Sequence, residues 1–305
     1  MRYHYTGKVL GQGTFSKVQE AMDIINVCPV AIKTWKLMEV RNEEVRFMTH
    51  VRDFQPTHPG YHHVLHVLDV VNDSAVMEKM DGTLKELLER YPRGLSESML
   101  RDLIRQLCLG LSYIHACDLI HCDLKPTNIM YTFRKNVYTY KIGDFSNSLW
   151  TEDGIHRSDL SVVQTSFYRS FESVIFYKDL TRVCDLPSLA CIVYEMATGV
   201  ALFPFHDDEE TVNLIVNNAH ALSILCAIGL DELNRMAADD NTIYIPNSVR
   251  DCVHTLSAPG LLTLPPPFDG LVDLLKSWLC PFPDQRTSLT DSLVHPWMMA
   301  TYTAL

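Results

Sequence analysis

A chain of 305 residues with 47% hydrophobic composition can bury a large core, enough for two small domains or for two lobes that share a cleft. A net charge of −11 argues against a broad nucleic-acid-binding surface, because a phosphate backbone demands concentrated positive charge; it leaves basic proteins as partners. Nine cysteines without paired metal spacing or an amino-terminal signal pattern point to reduced thiols in an intracellular compartment, and the longest apolar run, around Leu186 to Ala197, is too short to span a bilayer.

From Tyr3 to about Met80 the pattern is one of short extended runs, at Lys8 to Leu10, Lys17 to Met22, Val30 to Thr34, Val64 to Val71 and Ala75 to Glu78, interrupted by one helix. Within this stretch His62, His63 and His66 cluster without other ligands, so an exposed turn beside His58-Pro59 is expected rather than a zinc site, and Trp35 is expected to pack. The short join from Lys79 to Gly82 reads as a hinge, with Gly82 free to turn. From Thr83 onward helical periodicity dominates, in Leu84, Leu87 and Leu88, then Leu100, Leu103, Leu107 and Leu111, then Leu189 to Met196. Leu264-Pro265-Pro266-Pro267-Phe268 reads as an extended surface connection. There are no internal repeats. The chain therefore divides into a β-rich lobe at 1–81 and a mainly helical lobe at 82–305, an α+β arrangement.

The densest chemistry lies in His121-Cys122-Asp123-Leu124-Lys125-Pro126-Thr127-Asn128, followed by Gly143-Asp144-Phe145-Ser146. An Asp that accepts a hydroxyl proton, a Lys that neutralises a transferring phosphoryl, and an Asn and second Asp that hold magnesium stand here in the order phosphoryl transfer needs. Asp123 is the candidate base, Lys125 the neutralising cation, and Asn128 and Asp144 the candidate metal ligands. Upstream, Gly11-Gln12-Gly13-Thr14-Phe15-Ser16-Lys17-Val18 sits between apolar extended runs, so its glycines let a strand-turn-strand backbone approach phosphates. An ordinary glycine-rich hairpin would explain that loop equally well, but Val30-Ala31-Ile32-Lys33 follows it. A lysine ending a β-rich run after such a loop reaches the α and β phosphates of ATP when a carboxylate holds its ammonium in place. Glu44, with Met48 one turn later, is the candidate carboxylate, and Glu39 and Glu43 are its rivals.

These motifs resemble the protein kinase superfamily from Tyr3 to Trp297, ending in His295-Pro296-Trp297. The resemblance implies a bilobal fold, a small antiparallel sheet with one helix over a larger helical lobe, with ATP and magnesium in the cleft. It implies that Leu10, Gly11, Gln12 and Gly13 line the nucleotide, that Val18 and Ala31 cover the adenine and that Met130 closes it from the other side. Met77 would be the gatekeeper, with Glu78 to Met80 offering backbone hydrogen bonds to the purine edge. Thr165, in Gln164-Thr165-Ser166-Phe167-Tyr168-Arg169, matches the residue that hydrogen-bonds the catalytic Asp and Lys of serine/threonine kinases. Glu172 and Arg286 resemble the ion pair that fastens the end of the activation segment, and Asp185 would anchor the catalytic-loop backbone. The interval from Lys33 to Glu44 is shorter than kinases usually show.

Arg169 after Tyr168, and the long stretch from about Gly229 to Leu264, resemble the CMGC group of kinases. Gly11 to Val18, Asn147 to Trp150, Gln164-Thr165 with Tyr168-Arg169-Ser170 and Glu172, and Ala190-Cys191 through Ala197-Thr198-Gly199 are similar to SR-protein kinases. His121-Cys122-Asp123 also resembles the dual-specificity tyrosine-regulated kinases, but their activating tyrosine would fall where this chain has Ser161-Val162-Val163. Asp207, Asp208, Glu209 and Glu210 lie where SR-protein kinases carry an acidic segment that engages arginine-rich substrates; a solvated loop is the plainer reading. Cys122 replaces the arginine that in many kinases pairs with a phosphorylated loop, so activity without loop phosphorylation is expected. Ser146 replaces the last glycine of the magnesium motif, Thr127 a glutamate, Ser170-Phe171 an Ala-Pro pair and Pro187 a tryptophan. None of these removes a charge that phosphoryl transfer requires. The expectation is a monomeric serine/threonine kinase acting on protein substrates, with an ATP-binding scaffold as the alternative.

Overall fold

A computed structural model describes residues 1–13, 16–152, 164–165, 168–170, 172–173, 180–202, 262, 264–280 and 283–300. Its first part is an antiparallel sheet of β1 (Tyr3–Gln12), β2 (Ser16–Asp23), β3 (Cys28–Trp35), β4 (Val67–Val71) and β5 (Ser74–Glu78), in the order β1-β2-β3-β5-β4. β3 has neighbours on both edges, and Val30, Ala31, Ile32 and Lys33 are buried in succession. Side chains alternate across a strand. Val30 and Ile32 accordingly join Tyr3, Ala21 and Val76 in a small outer core, while Trp35 joins Ala75 and Met77 in the main core. Lys33, two residues before Trp35, shares that inner face.

β3 runs almost directly into α1 (Met38–Asp53), whose N-cap Leu37 supplies no side-chain capping bond. The buried residues of α1 are Glu44, Phe47, Met48 and Val51, an i, i+3, i+4, i+7 stripe that places one carboxylate among apolar side chains. Beyond it, the expected strand from Val64 to Val71 is divided. Val64 bridges in parallel to Ile142, and β4 begins only at Val67. The histidines before it also depart from expectation. His62 is exposed, but His63 Nδ1 donates to the Tyr140 carbonyl oxygen at 3.2 Å, and His66 is buried, stacked on Tyr61 at 4.0 Å. Burial lowers the pKa of both His63 and His66.

The join at Asp81-Gly82 is pinned rather than freely turning. Asp81 N–H donates to the Tyr131 carbonyl at 2.9 Å, and a Cβ on Gly82 would lie 2.9 Å from Glu86 Oε2 and 3.0 Å from Tyr131 Oη. Gly82 is needed there for close approach. β6 (Gly82–Thr83) leads into α2 (Leu84–Arg90), started by a reciprocal capping box between Thr83 and Glu86. α3 (Glu97–Ala116) buries Leu100, Leu103, Ile104, Leu107, Leu111 and Ile114 along its length.

Helical dominance after Thr83 is broken by a hairpin, β8 (Ile129–Arg134) paired with β9 (Val137–Ile142). Lys135 and Asn136 both have positive φ, 51° and 63°, as a two-residue hairpin loop requires. Two short strands, β7 (Leu119–Ile120) and β10 (Leu149–Trp150), pair antiparallel beside it. The remaining helices are α4 (Asp185–Thr198), α5 (Val272–Trp278), α6 (Leu289–Leu293) and α7 (Pro296–Met299). Pro187 falls in the first turn of α4, where its missing N–H costs no helical bond. α4 ends on Gly199 at φ 81°, whose N–H caps the Glu195 carbonyl. Among the described residues no helix is long and apolar enough to cross a membrane.

Candidate active site

The loop from His121 to Asn128 follows β7 and is fixed from beneath by α4. Asp185 is fully buried; its Oδ1 accepts from Cys122 N–H at 3.0 Å, and its Oδ2 from His121 N–H at 3.0 Å and from His115 Nε2 at 2.9 Å. Burial alone would raise the Asp185 pKa, but these donors, His115 first, hold it below the ordinary carboxylate range. Cys122 has φ 59°, a left-handed conformation disfavoured for a residue with a Cβ, and the Asp185 carboxylate holds it there. Asp123 N–H donates to His121 Nδ1 at 3.2 Å, so Nε2 carries the imidazole proton and donates to the Gly143 carbonyl at 3.1 Å. His121 thereby ties this loop to the segment carrying Asp144.

Around Asp123 the polar groups converge. Lys125 Nζ donates to Asp123 Oδ2 at 2.7 Å and to Thr165 Oγ1 at 3.0 Å, while Thr165 Oγ1 donates to Asp123 Oδ1 at 2.6 Å. Asn128 Nδ2 donates to the Asp123 carbonyl at 2.9 Å, which commits the amide nitrogen inward. The Asn128 oxygen is left as the end that can meet a cation.

Across the cleft, Lys33 Nζ lies 2.5 Å from Glu44 Oε1 and 2.9 Å from Asp144 Oδ1. One ammonium is thus shared by two carboxylates. Burial opposes the charge on Lys33, but Asp144 and Glu44 together raise its pKa. Glu44, the more buried carboxylate, is raised by burial against the pull of Lys33, whereas Lys33 outweighs burial at Asp144 and lowers it to about 2. Glu44 prevails over its rivals because its place in the buried stripe of α1 aims it at β3; Glu39 and Glu43 are exposed, and Glu43 only approaches Arg46 at 3.9 Å. The short Lys33-to-Glu44 interval is accommodated because only residues 36–37 separate β3 from α1.

The other expected contributors stand along the same cleft. Gly11 stands next to the last residue of β1 and Gly13 just beyond it, and among the described residues a Cβ on Gly11 would meet nothing within 4 Å. Leu10 and Gln12 are exposed, and Val18 is half-buried opposite Lys33 on β3. Ala31 and Met77 face each other across β3 and β5 and are buried. Glu78 ends β5 and pairs with Lys141, Met80 packs on the main core, and Met130 is half-buried against Gly143, where any Cβ would strike its methyl at 2.5 Å. Glu172 and Arg286 form a buried two-pronged pair, 2.7 Å at each prong. Asp207, Asp208, Glu209 and Glu210, Ser161 to Val163 and most of the stretch from Gly229 to Leu264 lie outside the described residues.

Several participants carried no clear signal in the sequence. Trp35 does more than pack, because its Nε1–H donates to Glu44 Oε2 at 2.7 Å. Ser146 Oγ donates to Asp144 Oδ1 at 2.9 Å, so this oxygen takes two donors, with Lys33, and among the described residues the second carboxylate oxygen takes none. Ser170 is not a loose replacement either. Its N–H donates to Gln164 Oε1 at 2.8 Å and its hydroxyl meets that of Ser173 at 2.9 Å. Converting Trp35 to Phe keeps one aromatic ring, trims the indole and removes the N–H donor, and a hydrogen bond to a buried charge contributes about 1.5–3 kcal/mol. The expected result is a urea midpoint lowered by about that free energy and weaker nucleotide binding; an unchanged midpoint would show the bond contributes nothing.

A lysine on β3 paired with a glutamate on α1, set against an Asp-Lys-Asn loop and a second Asp, has the arrangement of a two-lobed phosphotransferase. The chain belongs to the protein kinase family: the profile described as Protein kinase domain matches residues 4–298. It is 30% identical over 297 residues to Cell division control protein 2 homolog 3 of Trypanosoma brucei brucei, covering 95% of this chain and 89% of that protein. It is 30% identical over 218 residues to Dual specificity tyrosine-phosphorylation-regulated kinase mbk-2 of Caenorhabditis elegans, covering 68% of this chain and 26% of that one. Mitogen-activated protein kinase mpkC of Aspergillus fumigatus is 28% identical over 304 residues, covering 95% and 73%. These relatives are kinases of the CMGC group, and protein kinase domains in general use ATP and magnesium.

Proposed function

We propose that this chain is an active serine/threonine protein kinase that transfers the γ-phosphoryl of ATP to hydroxyls of protein substrates. The observation that carries the reading is the pair of linked networks: Lys33 between Glu44 and Asp144, and Lys125 and Thr165 around Asp123. The residues present fit ATP and magnesium. Asp144 offers a carboxylate oxygen with no donor among the described residues, and Asn128 an amide oxygen that takes only a long bond from the Thr127 hydroxyl at 3.5 Å; among the described residues no group of three or more His, Cys, Asp or Glu could hold a metal by itself. Two protein oxygens completed by phosphate oxygens is how magnesium is commonly held.

Bound magnesium would supply neutralisation of the phosphate charge. The chain's own groups do the rest. Asp123 orients the acceptor hydroxyl and takes its proton at a carboxylate oxygen, Lys125 neutralises the transferring group, and Lys33, fixed by Glu44, positions the nucleotide phosphates. Thr165, bonded to both Asp123 and Lys125, supports a preference for serine or threonine. The SR-protein-kinase-like motifs, together with the acidic run at 207–210, favour arginine- and serine-rich substrates inside the cell, engaged by a monomer. A dual-specificity tyrosine-regulated type is the second reading, carried by His121-Cys122-Asp123.

Magnesium-dependent phosphorylation of arginine–serine-rich, acidic and proline-directed peptides, before and after phosphatase treatment, tests this. The expected result is phosphate on Ser or Thr, fastest on the basic peptides, weakened by salt and undiminished by phosphatase. Nucleotide binding without turnover would instead identify a scaffold, and equal rates on all peptides would remove the substrate preference.

A further inference from the structure

If the site is a kinase centre, α1 must hold Glu44 against Lys33, yet residue 122 offers a buried thiol where a phosphate-binding cation would be needed. Trp150 stands where such an anchor is required. Its backbone is fixed to the larger lobe: in β10, Leu149 pairs with Ile120 and Trp150 with Leu119, and Thr151 N–H donates to the Asp118 carbonyl at 2.9 Å. From that fixed base the indole reaches α1. Its ring centroid lies 5.3 Å from that of Phe47 and 4.9 Å from that of His50, edge-on to the latter, and the Arg46 guanidinium sits 5.1 Å from its centre.

The larger lobe's hydrogen bonds to α1 are at the helix's carboxyl end, whereas in its amino-terminal half Arg41 Nη2 donates to the Asn72 carbonyl at 2.8 Å and Glu44 accepts from Trp35, both partners belonging to the β-rich lobe. Tyr113 Oη donates to the Val51 carbonyl at 2.6 Å, and His50 Nε2 donates to the Cys117 carbonyl at 3.1 Å. Val51 is two turns beyond Glu44, about 10 Å along a helix that rises 1.5 Å per residue. Among the described residues the larger lobe's hydrogen bonds thus hold α1 only near its carboxyl end, and movement of the helix against that lobe is greatest on the far side, where Glu44 stands. Arg46 and Phe47 lie within one turn of Glu44, so the indole opposes that movement close to the carboxylate.

We propose that Trp150 is a positioning residue, an aromatic clamp that keeps Glu44 on Lys33 without a phosphate on the segment that follows. The proposal rests on the kinase reading of the site. Among the described residues the buried indole N–H meets no hydrogen-bond partner, so the clamp works through the faces and edges of the ring. A phenyl ring should therefore serve, and a methyl group should not.

In phosphatase-treated protein, Trp150→Ala is expected to lower kcat/KM for ATP about 10- to 100-fold, while Trp150→Phe stays within about threefold of wild type. Arg46→Ala, on an exposed side chain, should give a smaller loss that is less than additive with Trp150→Ala. Amide hydrogen exchange should rise across residues 40–48 in the Ala variant and stay unchanged across residues 119–124, a split that general destabilisation would not produce. Wild-type rates and exchange in Trp150→Ala, an equal loss in Trp150→Phe, or exchange raised throughout would each overturn the clamp. If the wild type turns over no peptide, the kinase reading fails, but exchange in α1 and the affinity for an ATP analogue still decide the clamp. Should the Ala variant not fold, Arg46→Ala and Trp150→Phe decide it by the same readouts.

Discussion

Asp144→Asn lowers the rate of phosphoryl transfer by about two to three orders of magnitude and leaves the fold in place. Loss of one preorganised electrostatic group in a catalytic site typically costs that much. Here the carboxylate is held on one oxygen by Lys33 and Ser146, each at 2.9 Å, so the charge removed is the one set aside for the metal. Asparagine preserves size and one oxygen, so the Lys33 contact can survive in neutral form and Glu44 still accompanies the ammonium. The measurement is turnover against magnesium concentration, with thermal unfolding as the control. A variant turning over within tenfold of wild type at saturating magnesium would show that the reaction does not depend on this carboxylate.

Arg286→Ala is expected to destabilise the protein by about 3–5 kcal/mol, the usual cost of leaving one member of a buried ion pair without its partner. The Arg286 side chain is 0% exposed and that of Glu172 2%. Besides both carboxylate oxygens, the guanidinium serves the Val183 and Cys280 carbonyls, each at 2.8 Å, so four acceptors lose a donor together. Lysine has one nitrogen where arginine has a planar fork, so Arg286→Lys should recover only part of the loss. Removing both charges, as Glu172→Gln with Arg286→Met, should cost less than Arg286→Ala alone, because no buried charge is then abandoned. Urea denaturation measures all of these. A loss under about 1 kcal/mol in Arg286→Ala would mean that water reaches Glu172 and that the pair does not fasten this region.

Much of the candidate site was legible because phosphoryl transfer fixes residue types at short spacings. Asp123, Lys125 and Asn128 lie within one loop, and Lys33 ends a run of buried β residues, so each could be named from its immediate neighbours. Partners distant in sequence were harder. Trp35 and Glu44 meet because one is at the end of β3 and the other in the second turn of α1, a geometry set by the two-residue link between those elements. The β8–β9 hairpin was missed for a different reason. Its alternating Tyr131 and Phe133, then Tyr138 and Tyr140, are a strand signal, but Lys135-Asn136 lacks the glycine that usually marks such a turn, and helix-period leucines surround it.

The sequence by itself determined the chemistry: which acids, amide and lysines are available, and that a β-rich stretch precedes a helical one. Residue type and short-range period carry that information along the chain. Only the tertiary structure decided how those groups are oriented, with Glu44 chosen over Glu39 and Glu43, Gly82 serving close packing, His66 buried, and Trp150 laid against α1. The reason is physical. A buried charge or ring is stabilised by whatever meets it across the core, and those partners come from elements whose distance along the chain says nothing about their distance in space.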